Sequence, residues 1–505
     1  MIEQWTGLPL AEPGSASCDL VTPVAEELTP WLDPWDVCQR LAHLPHLLFL
    51  DSAFAHPMLG RYSFVAADPF DWLWARGRQV VDNLNGSGEG DPFAVLARKL
   101  ANWRIETIAG LPPFQGGAAG LFGYDLCHHI EHLPRPRYDE FATPDMAVGF
   151  YDWVIAFDHA QRRAWLLSTG LPETDPARRR RRAVERLQAV RKMIVYGSPL
   201  TISPSQTSPA VKPALHHALA HLPGMFSNFD RAGYLAAARR AIEYIHAGDC
   251  FQVNLSQRLL HAATLAPLEL YGRLRERNPA PFAGYFDLGD FVLASASPER
   301  FLRVESGHVE TRPIKGTRPR GVTPEEDARQ RDDLLRSAKD HAENVMIIDL
   351  LRNDLGRVCS YGSVRVPAVC RLESYRTVHH LVSEVVGQLR PGLGLVDLLR
   401  AAFPGGSVTG APKVRAMEII AELEQTARGP YCGSLGYLGF DGSMDTNILI
   451  RTFTIGRGWM QFPVGGGIVA DSTPESEYEE TLHKAEGLLR ALRGTNKPFP
   501  GNGDK

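Results

Sequence analysis

Several common features are missing from this sequence of 505 residues. It has no run of about 18 consecutive apolar residues, so no segment is expected to span a bilayer. The N-terminus lacks a basic stretch followed by an apolar run, so no signal peptide is predicted. The seven cysteines lie far apart, and none forms a Cys-x-x-Cys pair. This spacing argues against a disulfide framework and a structural zinc site, and it favours a reduced, cytoplasmic protein.

The sequence also lacks an excess of positive charge, since 54 lysines and arginines face 58 aspartates and glutamates. A net charge of −4 provides no field that would attract nucleic acid or an anionic membrane. The arginine run 178–182 is interpreted as a solvated helix face, because no aromatic residues interleave with it.

The segment GGSVTGAPK (405–413) superficially resembles a phosphate-binding loop. A Walker loop needs lysine directly after its second glycine, whereas Ala411 and Pro412 intervene here. Nucleotide hydrolysis is therefore disfavoured. The backbone N–H groups and two hydroxyls at this helix start would instead suit a carboxylate.

The chain divides by composition into four parts. Region 1–196 contains short strands with frequent turns and ends in a helix that Asp175 and Pro176 open. Region 197–224 is rich in Ser, Thr and Pro and is predicted to be a linker. Region 225–492 is a second compact section, and 493–505 is a tail.

The second section mixes helices with hairpins. Asp230 is a predicted N-cap, with Gly248 closing that helix, and further helices are predicted at about 324–352, 412–426 and from Pro474. Two strands are expected across 433–455. Mixed helices and antiparallel hairpins predict an α+β fold.

Two acidic helices could hold a metal ion. Segment 339–357 places acidic residues among apolar ones, and segment 474–489 puts Glu477, Glu480 and Lys484 on one helix face. Patterning alone favours two ordinary surface helices with internal ion pairs. The functional hypothesis is a Mg²⁺ site that takes one carboxylate from each helix and completes its shell with water and an acidic substrate.

Two single residues suggest acid–base or covalent chemistry. Lys315 in PIKGTRPRG (313–321) is either a solvated lysine at a strand end or a desolvated, nucleophilic amine. Glu299 in SPERF (297–301) is either a surface carboxylate or a general acid tuned by burial.

A set of motifs in order resembles the chorismate-utilising family, which contains anthranilate synthase component I, aminodeoxychorismate synthase component I and the isochorismate and salicylate synthases. The motifs are GGAAGLFGYD, SASPERF, PIKGTRPRG, HAENVMIIDLLRNDLGR, VHHLVSEV, PGGSVTGAPK and PVGGGIVADSTPESEYEET. They cover essentially all of 225–490, with weaker ones in 45–160. The resemblance implies two packed antiparallel β-sheets with surrounding helices, in one intertwined unit.

Within this family, the residue between Ile and Gly of the PI-x-GT segment is informative. Anthranilate synthases typically carry Ala there and aminodeoxychorismate synthases carry Lys, so Lys315 resembles the second group. This implies conversion of chorismate and ammonia to 4-amino-4-deoxychorismate, for para-aminobenzoate and folate synthesis. The alternatives are an anthranilate synthase component I and an inactive regulatory or scaffold homologue.

The resemblance also implies roles for individual residues. Lys315 matches the nucleophile, Glu299 the acid/base and His380 an active-site histidine. Glu343 and Glu480 match Mg²⁺ ligands, with Glu477 beside them. The positions that match substrate-binding groups are Gln252, Thr409, Tyr431, Arg451, Gly465, Gly466, Gly467 and Lys484. Gln252 stands where isochorismate and salicylate synthases carry a water-activating lysine, which argues against those activities.

A partner and an effector are implied as well. Ammonia would come from a separate glutamine amidotransferase subunit. Such a subunit needs a nucleophilic cysteine, and the nearest candidate by composition, Cys432, lies inside the chorismate-binding region. Segments similar to the family's tryptophan-binding segments predict an effector site at Ser52, Arg61, Tyr62, Pro281, Phe282 and Ala283. Asp51 departs from the glutamate usual in anthranilate synthases, and packed strands without a ligand are the alternative.

Overall fold

The computed structural model describes residues 22–54, 59–83, 86–197, 209–220, 222–375 and 378–493. Four helices begin after an aspartate whose carboxylate accepts a hydrogen bond from the first turn, namely Asp33, Asp91, Asp175 and Asp230. The helices are α1 (Pro34–Arg40), α2 (Pro92–Ala101), α3 (Pro176–Tyr196), α4 (Arg231–His246), α5 (Pro267–Arg277), α6 (Pro324–Arg336), α7 (Ala338–Gly356), α8 (Leu395–Ala402), α9 (Lys413–Glu424) and α10 (Pro474–Arg493). Short 3-10 turns lie at Tyr124–His129 and Gly406–Val408.

The strands of the N-terminal section are β1 (Val24–Glu27), β2 (Leu48–Asp51), β3 (Tyr62–Ala66), β4 (Asp71–Arg76), β5 (Gln79–Asp82), β6 (Gly86–Glu89), β7 (Gly117–Phe122), β8 (Met146–Tyr151), β9 (Trp153–Asp158) and β10 (Arg163–Ser168). Those that follow are β11 (His217–Ala218), β12 (Met225–Ser227), β13 (Gln252–Ala262), β14 (Phe282–Asp287), β15 (Val292–Ser297), β16 (Arg300–Glu305), β17 (His308–Thr311), β18 (Ile314–Pro319), β19 (Arg365–Ser374), β20 (Val378–Gln388), β21 (Gly410–Ala411), β22 (Ser434–Gly439), β23 (Met444–Asn447), β24 (Thr452–Gly456) and β25 (Trp459–Ile468).

The described strands form two sheets, and each combines strands from both ends of the chain. The first runs β1-β10-β9-β3-β2-β14-β15-β24-β25-β13-β12-β11, and β21 also pairs with β13. The second runs β18-β20-β17-β16-β23-β22-β7-β8-β4-β5-β6, and β19 also pairs with β20. N-terminal and C-terminal strands meet at the antiparallel pairs β2–β14 and β22–β7. The prediction that the N-terminal region adds strands to the same body is confirmed.

The two sheets pack face to face around a shared hydrophobic layer. Leu48, Phe64 and Phe286 from the first sheet meet Leu121 and Leu435 from the second in one buried cluster. A second cluster lies between the first sheet and helices α1, α3, α5 and α10. This is the predicted α+β arrangement of two antiparallel sheets with helices outside.

The structure corrects three local predictions. The helix expected over 324–352 is two helices, because Ser337 leaves helical geometry and its hydroxyl caps α7 by accepting from the Asp340 amide. Region 433–455 contains three strands, β22, β23 and the start of β24. The C-cap of α4 is Ala247, with Gly248 following it at φ +85°. The predicted linker lies partly outside the described residues, and the four-part division stays a prediction.

Among the described residues, no helix is long and apolar enough to cross a membrane.

Candidate active site

Lys315 lies inside β18, not at the turn-rich strand end that the sequence suggests. Strand β18 pairs with β20, and the pairing register shifts between Lys315 and Thr317 at Gly316, whose φ is +82°. The partly buried Lys315 side chain donates from Nζ to the backbone oxygen of Ser407, 3.2 Å away. Burial lowers the pKa of Lys315, while Glu343 and Glu299 oppose the shift. Lys315 is therefore partly desolvated, and its role as a nucleophile stays a prediction.

Glu299 lies between β15 and β16 and is only 7% exposed. Its Oε1 accepts a hydrogen bond from the Ser407 hydroxyl at 2.9 Å. Burial raises the pKa of Glu299, while Lys315, the Ser407 hydroxyl and Arg451 oppose the shift. Glu299 is thus a buried carboxyl that shares Ser407 with the amine of Lys315, and a carboxyl whose pKa is raised by burial can serve as a general acid.

Ser407 is the site residue that the sequence analysis missed. It contacts both predicted catalytic groups, since its hydroxyl donates to Glu299 and its carbonyl accepts from Lys315. The sequence contained a sign of it, because the loop GGSVTGAPK has two hydroxyl residues, Ser407 and Thr409. Only Thr409 was predicted to bind substrate. The Thr409 hydroxyl donates to the Gly405 carbonyl at 3.1 Å and so closes its own loop.

His380 lies on β20 directly opposite Thr317, and its Nδ1 is 2.9 Å from the Thr317 hydroxyl oxygen. The ring of Tyr375 packs edge-on against it at a centroid distance of 5.4 Å. Burial, followed by the nearby charge of Arg451, lowers the pKa of His380 to about 4. The ring is therefore neutral at physiological pH.

Arg451 and Tyr431 come from neighbouring turns on the C-terminal side of the site. Arg451 has φ +52°, a conformation that costs energy for a residue with a side chain. Among the described residues, no carboxylate lies within ion-pair distance of its guanidinium, and Glu299 is the charged neighbour that raises its pKa against the effect of burial. Tyr431 is buried, with the Arg428 guanidinium 5.6 Å from its ring centre.

Glycines 465–467 form part of β25, which pairs with β13. A Cβ on Gly467 would lie 1.9 Å from Nε2 of Gln252, and one on Gly466 would lie 3.1 Å from Oε1 of Glu480. Only glycine therefore lets the strand lie this close to both side chains. Gln252 is buried, and its Oε1 has no hydrogen-bond partner in the protein.

The two acidic helices face the same region. Lys484 Nζ bonds the Gly465 carbonyl at 2.9 Å and Oε1 of Glu480 at 2.6 Å. Burial raises the pKa of Glu343, Lys315 and Lys339 oppose the shift, and the charges of Asp340 and Glu480 add to it. Burial also acts to raise the pKa of Glu480, but Lys484, Lys339 and Lys315 bring it below its usual value.

Glu477 accepts from Ser472 through Oε1 at 2.6 Å, while its buried Oε2 has no hydrogen-bond partner in the protein. An unpaired buried carboxylate oxygen beside Glu480 fits the chemistry of a magnesium ligand. In the part of the chain that the structure describes, no three His, Cys, Asp or Glu side chains form a closed metal-binding group. The two-carboxylate arrangement expected for Mg²⁺ does not require such a group.

The six predicted effector residues line one cavity of about 920 Å³, apart from the catalytic cluster. The cavity lies where β2 meets β14, with Asp51 opposite Ala283. Asp51 accepts from Tyr271 and Arg275 through Oδ2, both at 2.9 Å, and its buried Oδ1 has no partner in the protein. Arg61 is paired with Asp158 at 2.7 Å, so its charge is already compensated.

Two packed antiparallel sheets thus carry a buried carboxyl and a partly buried amine that share contacts with one loop. A family model described as "chorismate binding enzyme" matches residues 59–490, and the chain belongs to this family.

The chain is similar to particular members of two branches. It is 42% identical over 457 residues to "Aminodeoxychorismate synthase component 1" of Escherichia coli, covering 90% of this chain and 94% of that one. It is 45% identical over 402 residues to "Anthranilate synthase component 1" of Thermus thermophilus, covering 80% and 82%. The structure of anthranilate synthase component I from Streptococcus pneumoniae matches with a TM-score of 0.72 and 31% identity, over 86% of this chain and 94% of that one. The resemblance of the sequence to this family is confirmed.

The pKa of His380 predicts a pH dependence of stability. Between about pH 6.5 and pH 4 the unfolded chain binds a proton that the folded protein does not, so stability falls as the pH falls. We expect wild type to lose about 2 kcal/mol more unfolding free energy than His380→Gln between pH 7 and pH 5. Urea unfolding of both proteins at the two pH values measures this. Equal losses in both would contradict the assignment of a neutral, buried His380.

Proposed function

We propose that this protein aminates chorismate at C4, as an aminodeoxychorismate synthase component I. The observation that carries the proposal is the contact of Ser407 with both Lys315 and Glu299, which holds an amine and a carboxyl at one place. Lysine at position 315 sets this chain apart from the alanine typical of anthranilate synthases. The relatives of both branches support the use of chorismate and leave the product to be established.

The proposed chemistry is two successive allylic displacements. The Lys315 amine forms a bond to C2, the ring double bonds shift, and the C4–O bond breaks. Glu299 gives its proton to the departing hydroxyl, which leaves as water. Ammonia then forms a bond to C4, the double bonds shift back, and the C2–N bond to Lys315 breaks. The ammonium formed at C4 returns a proton to Glu299, so that Lys315 and Glu299 are both regenerated.

The two substrate carboxylates need compensating charge, because burying an unpaired anion is costly. Arg451 supplies a guanidinium with no close carboxylate partner among the described residues, and Lys484 supplies an ammonium. Backbone groups of Gly465–Gly467 and the hydroxyl of Tyr431 add hydrogen-bond donors. Thr409 and Gln252 lie on the facing segments.

Glu343 and Glu480 would hold Mg²⁺, with Glu477 beside them. Bound there, the ion supplies positive charge that orients a substrate carboxylate and offsets its charge. The unpaired oxygen of Glu477 supports this assignment.

Ammonia is proposed to come from a separate glutamine amidotransferase subunit. The similar proteins are named component 1, which supports a second component. Cys432 is a poor candidate for a glutamine-cleaving nucleophile, because it is fully buried and burial raises its pKa to about 12.

Product analysis tests this function. Purified protein is incubated with chorismate, Mg²⁺ and either ammonium at alkaline pH or glutamine. We expect aminodeoxychorismate from ammonium and no turnover from glutamine until an amidotransferase subunit is added. Anthranilate as the product would identify the other branch, and no product at all would identify an inactive homologue.

Lys315→Ala should reduce aminodeoxychorismate formation by at least about 1,000-fold, because covalent catalysis is lost. Some anthranilate is expected from direct addition of ammonia at C2. Chromatography of the products measures both, with the exposed Lys192→Ala as the control. Aminodeoxychorismate formation at the wild-type rate would show that Lys315 is not the nucleophile.

Glu343→Gln and Glu480→Gln should each raise the Mg²⁺ concentration for half-maximal rate by about 10-fold or more and weaken chorismate binding with it, because a ligand charge is lost. Magnesium titrations of the rate measure this. Glu479→Gln, next to Glu480 on α10 and exposed, is the matched control. Full activity of wild type in excess chelator would contradict the metal assignment.

The effector cavity is proposed to hold tryptophan as a structural or regulatory ligand. The unpaired Oδ1 of Asp51 suits an ammonium group, and Pro281 and Phe282 supply apolar walls. Calorimetry should show binding that Asp51→Asn weakens by about 10-fold, since charge is lost at unchanged shape. No binding, together with no tryptophan released on denaturation, would leave the packed-strand alternative.

A further inference from the structure

Arg428 is a buried guanidinium that uses several of its donors at once. Its Nε and Nη2 bond both carboxylate oxygens of Glu424, at 2.9 and 2.6 Å. Nη1 donates to the Val408 carbonyl at 3.1 Å, and Nη2 donates to the Asn254 carbonyl at 2.7 Å. The side chains of Arg428 and Glu424 are 3% and 4% exposed.

Such a pair is a weak source of stability. Removing two charges from water costs several kcal/mol per ion, and well-packed apolar residues of similar volume often serve as well or better. What distinguishes this pair is the set of backbone groups that it holds in place.

The pair contacts three walls of the chorismate site. Through Val408 it holds the loop whose neighbouring Ser407 bonds Glu299 and Lys315. The pair also holds β13 at two residues. Arg428 donates to the Asn254 carbonyl, and the amide and hydroxyl of Ser256 donate to Glu424 at 2.8 and 2.9 Å.

Asn254 and Ser256 lie directly opposite Gly467 and Gly465, so the pair also holds the strand that pairs with glycines 465–467 of β25.

The third wall is aromatic. The Arg428 guanidinium carbon lies 5.6 Å from the ring centre of Tyr431 and 4.8 Å from that of Tyr124. A cation over these rings restricts where Tyr431 can lie.

We propose that the Glu424–Arg428 pair is a positioning unit for the reaction, which fixes the Ser407 loop relative to the glycine strand and Tyr431. It touches no reacting atom and acts through Val408 and Ser407. The inference rests on the use of chorismate at this site and is independent of which product forms.

The test uses the full chain and follows the loss of chorismate, so that the product need not be known. Arg428→Lys keeps the charge but loses the planar fork that serves Glu424 and two carbonyls. We expect kcat to fall about 100-fold, since a misplacement of about 1 Å has effects of that size. Arg186→Lys, on α3 and paired with the buried Asp152, is the matched control and should keep wild-type kcat.

Coupling to Ser407 separates positioning from general destabilisation. If Arg428 acts through the loop, the two substitutions are not independent. The kcat of the double variant Arg428→Lys/Ser407→Ala should then be no more than about threefold below that of whichever single variant has the lower kcat. Effects that multiply would overturn the proposal.

The apolar replacement Glu424→Leu with Arg428→Met removes the charges without leaving one unpaired, so it should fold even if Arg428→Lys does not. Circular dichroism checks the fold. We expect this folded double variant to lose at least about 100-fold in kcat. Activity within about threefold of wild type would overturn the proposal, whatever the outcome for Arg428→Lys. Wild-type turnover of chorismate in the same assay separates this result from a failure of the proposed function.

Discussion

The structure depends on antiparallel pairing between strands that are far apart in the chain. At the β22–β7 pair, Gly436 lies opposite Gly120. A Cβ on Gly436 would lie 2.2 Å from the Asp445 carbonyl oxygen on β23, and one on Gly120 would lie 2.2 Å from the Ala147 carbonyl oxygen on β8. Glycine at these two positions therefore lets the central strands β22 and β7 lie close to their outer neighbours. This pair and β2–β14 join the two halves of the chain, so each sheet contains strands from both.

The two sheets carry the two proposed ligand-binding regions at different places. The effector cavity lies at β2–β14, whereas the catalytic cluster lies around β18, the turn before β16 and the Ser407 loop. Burial then determines the charge properties of the cluster. It lowers the pKa of Lys315 and His380 and raises that of Glu299, which disfavours the charged form of each group. An arriving dianion would supply the opposite charge that Arg451 lacks among the described residues, whereas Lys484 is already paired with Glu480.

The sequence predicted the fold class and the starts of α3, α4, α6, α9 and α10, because cap residues and a proline in the first turn have a local physical meaning. It did not predict α1, α2, α5 or α8. The prediction failed at Ser337, because the helical pattern of residues continues past this position. In the structure the first helix ends there, and the Ser337 hydroxyl caps a second one. The sequence prediction also missed Ser407. A serine in a glycine-rich loop has no local sign that its hydroxyl will meet Glu299, 108 residues earlier in the chain.

By itself, the sequence determined which chemical groups are present: a lysine in the PI-x-GT segment, carboxylates on two helices, a glycine run and a family motif set. These are properties of residue type and spacing, and they identified the family before any coordinates. Only the tertiary structure decided that Lys315 and Glu299 share Ser407, that Arg61 is already paired, and that the Glu424–Arg428 pair holds three walls of one site. The physical reason is that desolvation and hydrogen bonding depend on neighbours that long-range packing brings together.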